Sequence, residues 1–206
     1  MQNKKLEIIA HRGYWKLEKE KNTLYAFEKA FDKYFGIETD LRDAQGEIVI
    51  SHDIPLGNEA KFEDVLKILD KRNLPLALNI KSDGLAEKIS ELLKKYQVTN
   101  YFCFDMSIPQ MIVYKDFGLN FFTGISDICQ EGILLQDAQG IWLDSFYNDW
   151  FEKKEIHKYL EMNKRVCIVS PDLHKRKYKT TWNKYKNIDG IMLCTDFPEE
   201  AKEFFK

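Results

Sequence analysis

Ile8-Ile9-Ala10-His11-Arg12-Gly13 is a short apolar run that ends on a histidine, an arginine and a glycine. Such a run reads as a strand buried on both faces that delivers polar side chains at its end. Working outward, the same form recurs. Gly36-Ile37-Glu38-Thr39-Asp40-Leu41-Arg42 carries two acids spaced i, i+2, which point to one side of a strand. Ile48-Val49-Ile50-Ser51-His52-Asp53 ends on a second histidine. Further apolar runs at 76–80, 101–104, 121–124, 140–143, 165–169 and 190–193 complete, with 6–10 and 36–41, eight main strands. Residues 47–51 read as an extra strand returning through an Ala44-Gln45-Gly46 turn. Amphipathic stretches at 23–34, 63–71, 84–96, 108–117, 149–162 and 198–205 predict helices between the strands. Alternating β and α segments imply an α/β fold. Eight strands fit a (β/α)8 barrel, and periodicity alone equally allows a doubly wound sheet.

The 206 residues suit a single domain, 1–206, with a substantial core. A net charge of −2 provides no bulk attraction for nucleic acid or an anionic membrane, so neither is an expected partner. The lysines and glutamates are scattered along the helical stretches and read as solvated faces. No apolar run approaches membrane-spanning length, so no stable membrane insertion is expected. The apolar stretch near the N-terminus is too short for a signal peptide and is broken by His11-Arg12, which points to a cytoplasmic location. Cys103, Cys167 and Cys194 lie inside apolar runs and read as reduced core residues, and Cys129 has no close partner for a metal pair. Residues 172–186, which include His174, are basic and aromatic and read as an exposed βα loop and helix, with a role in gripping an anionic substrate as the alternative, because such loops surround barrel active sites.

The polar residues at the strand ends carry the chemistry. Histidines such as His11 and His52 suit acid/base work near neutral pH. Glu38 and Asp40 on one strand face repel each other unless a cation joins them, and oxygen ligands suit Mg2+ or Ca2+. Arg12, with its fixed fork of donors, suits a phosphate oxygen. Lys81, two residues after Asn79, faces the same way and suits phosphate as a point charge. Tyr14 and Trp142 flank strand ends and are candidates to line a pocket, with Asp105, Asp144 and Ser145 as further strand-end polar groups. Together these residues point to phosphodiester chemistry.

H-R-G at 11–13, N-T-x-x-A-F at 22–27, E-x-D at 38–40, S-H-D at 51–53, N-I-K at 79–81, D-G-I-M at 189–192 and T-D-F-P at 195–198 resemble the glycerophosphodiester phosphodiesterase family. That family shares its fold with bacterial phosphatidylinositol-type phospholipases. The motifs reach from one end of the chain to the other. The resemblance implies a single-domain TIM barrel with a minimal insertion. It also implies metal-dependent hydrolysis of a small phosphodiester in lipid metabolism, with a glycerophosphodiester or a glycerol-phosphate-linked metabolite as substrate. In its terms His11 and His52 are the acid/base pair, Glu38, Asp40 and Asn79 hold Mg2+ or Ca2+, and Arg12 and Lys81 hold the phosphate. Three features depart from it. Asn79 stands where the family usually has a metal-binding Glu, and Lys21 where it commonly has a Glu. The stretch between Asp53 and Phe62 is far shorter than usual, which implies a more open site. These departures leave two alternatives: a barrel that binds phosphate esters without turnover, and a metal-independent lyase that stops at a cyclic phosphate.

Overall fold

The computed structural model describes residues 6–206. Eight parallel strands form a nearly closed barrel with helices between them, a single TIM barrel. The parallel strands are β1 (Glu7–His11), β2 (Gly36–Ala44), β4 (Leu76–Ile80), β5 (Tyr101–Phe104), β6 (Phe122–Ile125), β7 (Gly140–Leu143), β8 (Arg165–Val169) and β9 (Ile191–Thr195). The helices are α1 (Leu24–Asp32), α2 (Phe62–Leu69), α3 (Ala86–Lys95), α4 (Ile108–Asp116), α5 (Lys153–Glu161), α6 (Lys179–Tyr185) and α7 (Pro198–Phe204). The strand order is β5-β4-β2-β1-β9-β8-β7-β6, and the ring closes through one bridge between Cys103 of β5 and Phe121 before β6. The short strand β3 (Glu47–Ile50) pairs antiparallel with β2. Gln45 and Gly46 join the two at φ 51° and 79°. Two successive positive φ values make the twisted two-residue turn that suits a hairpin. Pairing with β3 carries β2 on to Ala44, beyond the expected end at Leu41.

The barrel interior is apolar, with four aromatic rings. Ile9, Ala77, Phe102, Phe104, Phe122, Trp142, Cys167, Val169, Met192 and Cys194 fill it. Phe102 stacks on Phe122 at 3.8 Å and Phe104 on Trp142 at 4.0 Å. Phe102 and Phe122 face each other across the β5–β6 seam, so ring stacking holds a join that backbone pairing leaves thin. A second shell of apolar side chains lies between the strands and the helices. Between β6 and β7 a loop replaces a helix. Its Gly132 lies so close over β6 that an added Cβ would stand 2.9 Å from the Thr123 methyl group. Asp127 then ties this loop to the next one by accepting the backbone N–H groups of Phe146, Tyr147 and Asn148. Among the described residues, no helix is long and apolar enough to cross a membrane.

Candidate active site

Period-two alternation continues each interior row to the C-terminal rim of the barrel, where apolar side chains give way to polar ones. Behind Ile9 comes His11, behind Ala77 comes Asn79, and behind Trp142 comes Asp144. Glu38 and Asp40 continue the inward row of β2. In register, His11 lies level with Glu38, and Asp40 with Asn79.

The chain turns sharply after β1. Arg12 and Gly13 take φ 55° and 87°, and Asn22 takes φ 58°. A Cβ on Gly13 would stand 2.8 Å from the Ala26 backbone, so only glycine lets α1 come this close. The Asn22 amide N–H donates to the Arg12 carbonyl at 3.0 Å, and the Arg12 N–H donates to the Glu38 carbonyl at 3.0 Å. Two side-chain-bearing residues held in the left-handed region mark a bend that its surroundings enforce.

Asp40, fully buried, is the hub of the charged groups at the rim. Its Oδ2 accepts from Asn22 Nδ2 at 2.8 Å and lies 3.1 Å from Arg12 Nε; its Oδ1 lies 3.3 Å from Lys81 Nζ. Neither cation makes a well-aligned hydrogen bond to it. Arg12 Nε, Asp40 Oδ1 and Asn79 Oδ1 are all buried with no hydrogen-bond partner, and so is Ser145 Oγ on the far side of the mouth. Four of the five such atoms among the described residues therefore sit at one rim. Buried polar atoms are normally paired, so this concentration marks the rim as the place where a polar ligand would be held. Glu38 is 2% exposed, and its carboxyl is pushed up to about 7 by burial first and Asp40 second, against the pull of His11, Arg12 and Lys81.

His11 is held as one half of a dyad. Its Nδ1 lies 2.6 Å from Asp196 Oδ1, and its Nε2 lies 3.8 Å from Glu38 Oε2. The ring thus has one nitrogen anchored and the other turned to the mouth. His52 lies on the loop after β3 with its side chain 47% exposed, against 14% for His11. Among the described residues its ring meets only the neighbouring Asp53, at 2.9 Å. Asn79 donates through Nδ2 to Asp105 at 3.2 Å, and the Asp105 carboxyl is raised, chiefly by desolvation. Tyr14 packs edge-on against Phe35 and donates its hydroxyl to Glu199, at the outer rim beside the dyad. Trp142, 6% exposed, forms part of the floor. Lys21 turns away to Glu18 at 2.9 Å and lies over the Trp15 ring.

Sequence reasoning named His11, Arg12, Glu38, Asp40, Asn79 and Lys81, and the fold brings these together. It gave no role to Asp196 or Asn22, and named His174 only within the basic, aromatic stretch 172–186. Asp196 and Asn22 lie inside motifs already quoted, and their place at a strand end and a bend was the available signal. His174 sits in Ser170-Pro171-Asp172-Leu173-His174, directly after the β8 run.

Compared by sequence, the chain matches no protein-family model and no curated protein. Compared by fold, it is similar to a glycerophosphodiester phosphodiesterase from Agrobacterium tumefaciens, with a TM-score of 0.69 and 14% identity over 97% of this chain and 98% of that one. It is also similar to an Oleispira antarctica phosphodiesterase in complex with the product sn-glycerol-3-phosphate, with a TM-score of 0.67 and 16% identity over 96% of each chain. A mutant tryptophan synthase α-subunit from Pyrococcus furiosus superposes less well, with a TM-score of 0.54. The chain has the fold of the glycerophosphodiester phosphodiesterases along nearly its whole length.

Proposed function

We propose that this chain is a phosphoric diester hydrolase that acts on a glycerophosphodiester or a glycerol-phosphate-linked metabolite, with a hard divalent cation at the end of β2. The observation that carries this reading is the group of unpaired buried atoms Arg12 Nε, Asp40 Oδ1 and Asn79 Oδ1 beside an oriented histidine. A phosphodiester supplies anionic oxygens for Arg12 and Lys81. Glu38, Asp40 and the Asn79 amide oxygen make an all-oxygen donor set, the kind Mg2+ and Ca2+ prefer. Among the described residues no group of three or more His, Cys, Asp or Glu could hold an ion, so Asn79 and substrate oxygens would have to complete the shell. A cation bound there supplies positive charge against the phosphate as the transition state forms. The activity named for the A. tumefaciens protein and the product held by the O. antarctica protein support the same reading.

In this reading Arg12 and Lys81 orient the phosphate, and Asp40 holds both cations in place. Asp196 accepts from His11 Nδ1–H, which leaves Nε2 free to take the proton of the attacking oxygen, a substrate hydroxyl or water. A second histidine returns a proton to the leaving alcohol, and the sequence nominates His52. The test is hydrolysis of glycerophosphodiesters followed by 31P NMR with Mg2+, with Ca2+ and with EDTA, for the wild type and His11→Ala. Metal-dependent turnover lost in the variant is the expected result. Tight phosphate-ester binding with no turnover would instead support a binding barrel, the reading that the neutral Asn79 favours. Activity surviving EDTA with a cyclic phosphate accumulating would support the lyase.

A further inference from the structure

Behind the His11–Asp196 dyad lies a buried carboxylate that the reaction above does not use. Asp172 follows β8, in the turn Pro171–His174, and is 7% exposed. Its Oδ2 accepts the Asp196 N–H at 2.8 Å and the Thr195 hydroxyl at 3.0 Å. Its Oδ1 accepts the Ser170 hydroxyl. The directions of these bonds are fixed. The Trp182 indole N–H can only donate, and it donates to Ser170 Oγ at 2.8 Å. The Phe197 N–H donates to Thr195 Oγ at 3.0 Å. Each hydroxyl therefore has its own proton left for Asp172. Ser170 and Thr195 are fully buried, so water does not replace either bond. Burial raises the Asp172 carboxyl most, and its three donors oppose that rise. All three donors are neutral, and a carboxylate so held costs more to bury than an apolar side chain of the same size.

We propose that Asp172 is a positioning residue: by clamping the chain at Thr195 and Asp196 it aims the Asp196 carboxylate at His11 Nδ1; its effect on turnover rests on the phosphodiesterase reading. Only Asp196 and Phe197 link the end of β9 to the start of α7 at Pro198. Asp172 holds that link at its first residue and at the residue before it. The Asp196 side chain has two torsions, so a fixed backbone leaves its carboxylate few directions. One of them sets Oδ1 2.6 Å from His11 Nδ1. A carboxylate there keeps the ring proton on Nδ1 and leaves Nε2 as the acceptor that faces the mouth. Among the described residues Asp172 makes no hydrogen bond to His11, so it acts on the ring through Asp196. Asparagine at 172 keeps the shape and turns one acceptor oxygen into an NH2 donor. Either placement of that group meets a donor: the Asp196 N–H and Thr195 hydroxyl at Oδ2, or the Ser170 and Thr195 hydroxyls at Oδ1.

The experiment compares wild type, Asp172→Asn, Asp196→Asn and the double variant in two ways. Turnover of glycerophosphoethanolamine is measured with Mg2+. The same proteins, labelled with 15N in their histidines, are examined by NMR in EDTA without substrate, at a pH where the ring is neutral; the His11 signals are assigned by their loss in His11→Gln. Far-ultraviolet circular dichroism and thermal melts check that each variant folds. Asp172→Asn is expected to lower kcat by about tenfold or more with KM within about twofold. In the Asp196→Asn background it is expected to lower kcat no further, because the clamp then has no carboxylate to aim. His11 is expected to carry its proton on Nδ1 alone in the wild type and on either nitrogen in Asp172→Asn. Thr195→Val, which removes one clamped donor at nearly constant volume, is expected to give the same pattern more weakly and covers the case of a misfolded Asp172→Asn. A kcat loss of equal size in both backgrounds, or an unchanged proton position in both Asp172→Asn and Thr195→Val, would overturn the proposal. A wild type that cleaves no glycerophosphodiester, with the proton still shifted in Asp172→Asn, would overturn the phosphodiesterase reading and leave the clamp on His11 standing.

Discussion

Gly13 and Asn79 show how much one side chain decides here. Gly13→Ala adds a methyl group 2.8 Å from the Ala26 backbone at a φ of 87°. Backbone cannot move aside as a flexible side chain can, so a loss of about 2 kcal/mol or more is expected in urea unfolding. Asn79→Glu adds a charge beside Glu38, Asp40 and Asp105 in place of an amide whose oxygen is unpaired. It is expected to tighten Mg2+ or Ca2+ binding by about tenfold or more, read by titration calorimetry without substrate; unchanged affinity would remove Asn79 from the donor set. The strand-end groups His11, Glu38 and Asp40 were legible in the sequence because alternation and motif both point to them. Asp196, as the acid that orients His11, was not: its part depends on which strands become neighbours when the ring closes, and local pattern carries no record of that.

At the scale of elements, the β2–β3 hairpin and the β6–β7 loop behave differently. The hairpin was legible from Gln45-Gly46 between two apolar runs. Gly46→Ala places a methyl group at φ 79° with nothing within 4 Å, so only the backbone conformation resists it. A loss of about 1 kcal/mol is expected, clearly smaller than for Gly13→Ala, and equal losses would show that crowding at Ala26 is not what separates the two sites. The β6–β7 connection gave no helical pattern to read, and its course is set by Gly132 against β6 and by Asp127 against the following loop. The shortened loop after His52 was visible as missing length. Where its exposed histidine would point depends on contacts that loop residues do not encode.

For the molecule as a whole, the choice of a barrel over an open sheet was not in the periodicity, because both place apolar strands between helices. The β5–β6 closure and the Phe102–Phe122 stack across it settle the matter in the structure. The polar rim also sets a stability–pH relation. Glu38 is raised from 4.5 to about 7, so the folded state holds a proton that the unfolded chain releases. Folding is therefore most favoured below pH 4.5 as far as this group is concerned, and stability falls as pH rises toward 7 and then levels off. The raised Asp105 and Asp172 act with the same sign. In EDTA the unfolding free energy is expected to drop by a few kcal/mol between about pH 5 and 8 from this group, and Glu38→Gln to flatten most of that slope. A slope unchanged in Glu38→Gln would show that other groups set it.

The bond between His11 and Asp196 joins residues 185 positions apart. β1 lies between β2 and β9, so the first strand of the barrel waits for the last one before its histidine is oriented. During synthesis, most of the core can condense while the ring nitrogen proposed to take the proton is still free to turn. Catalytic competence is then a late event, a built-in report that the circle has been completed. In a refolding experiment, recovery of turnover is expected to lag behind recovery of helical signal, and a chain stalled before β9 to be compact and inert.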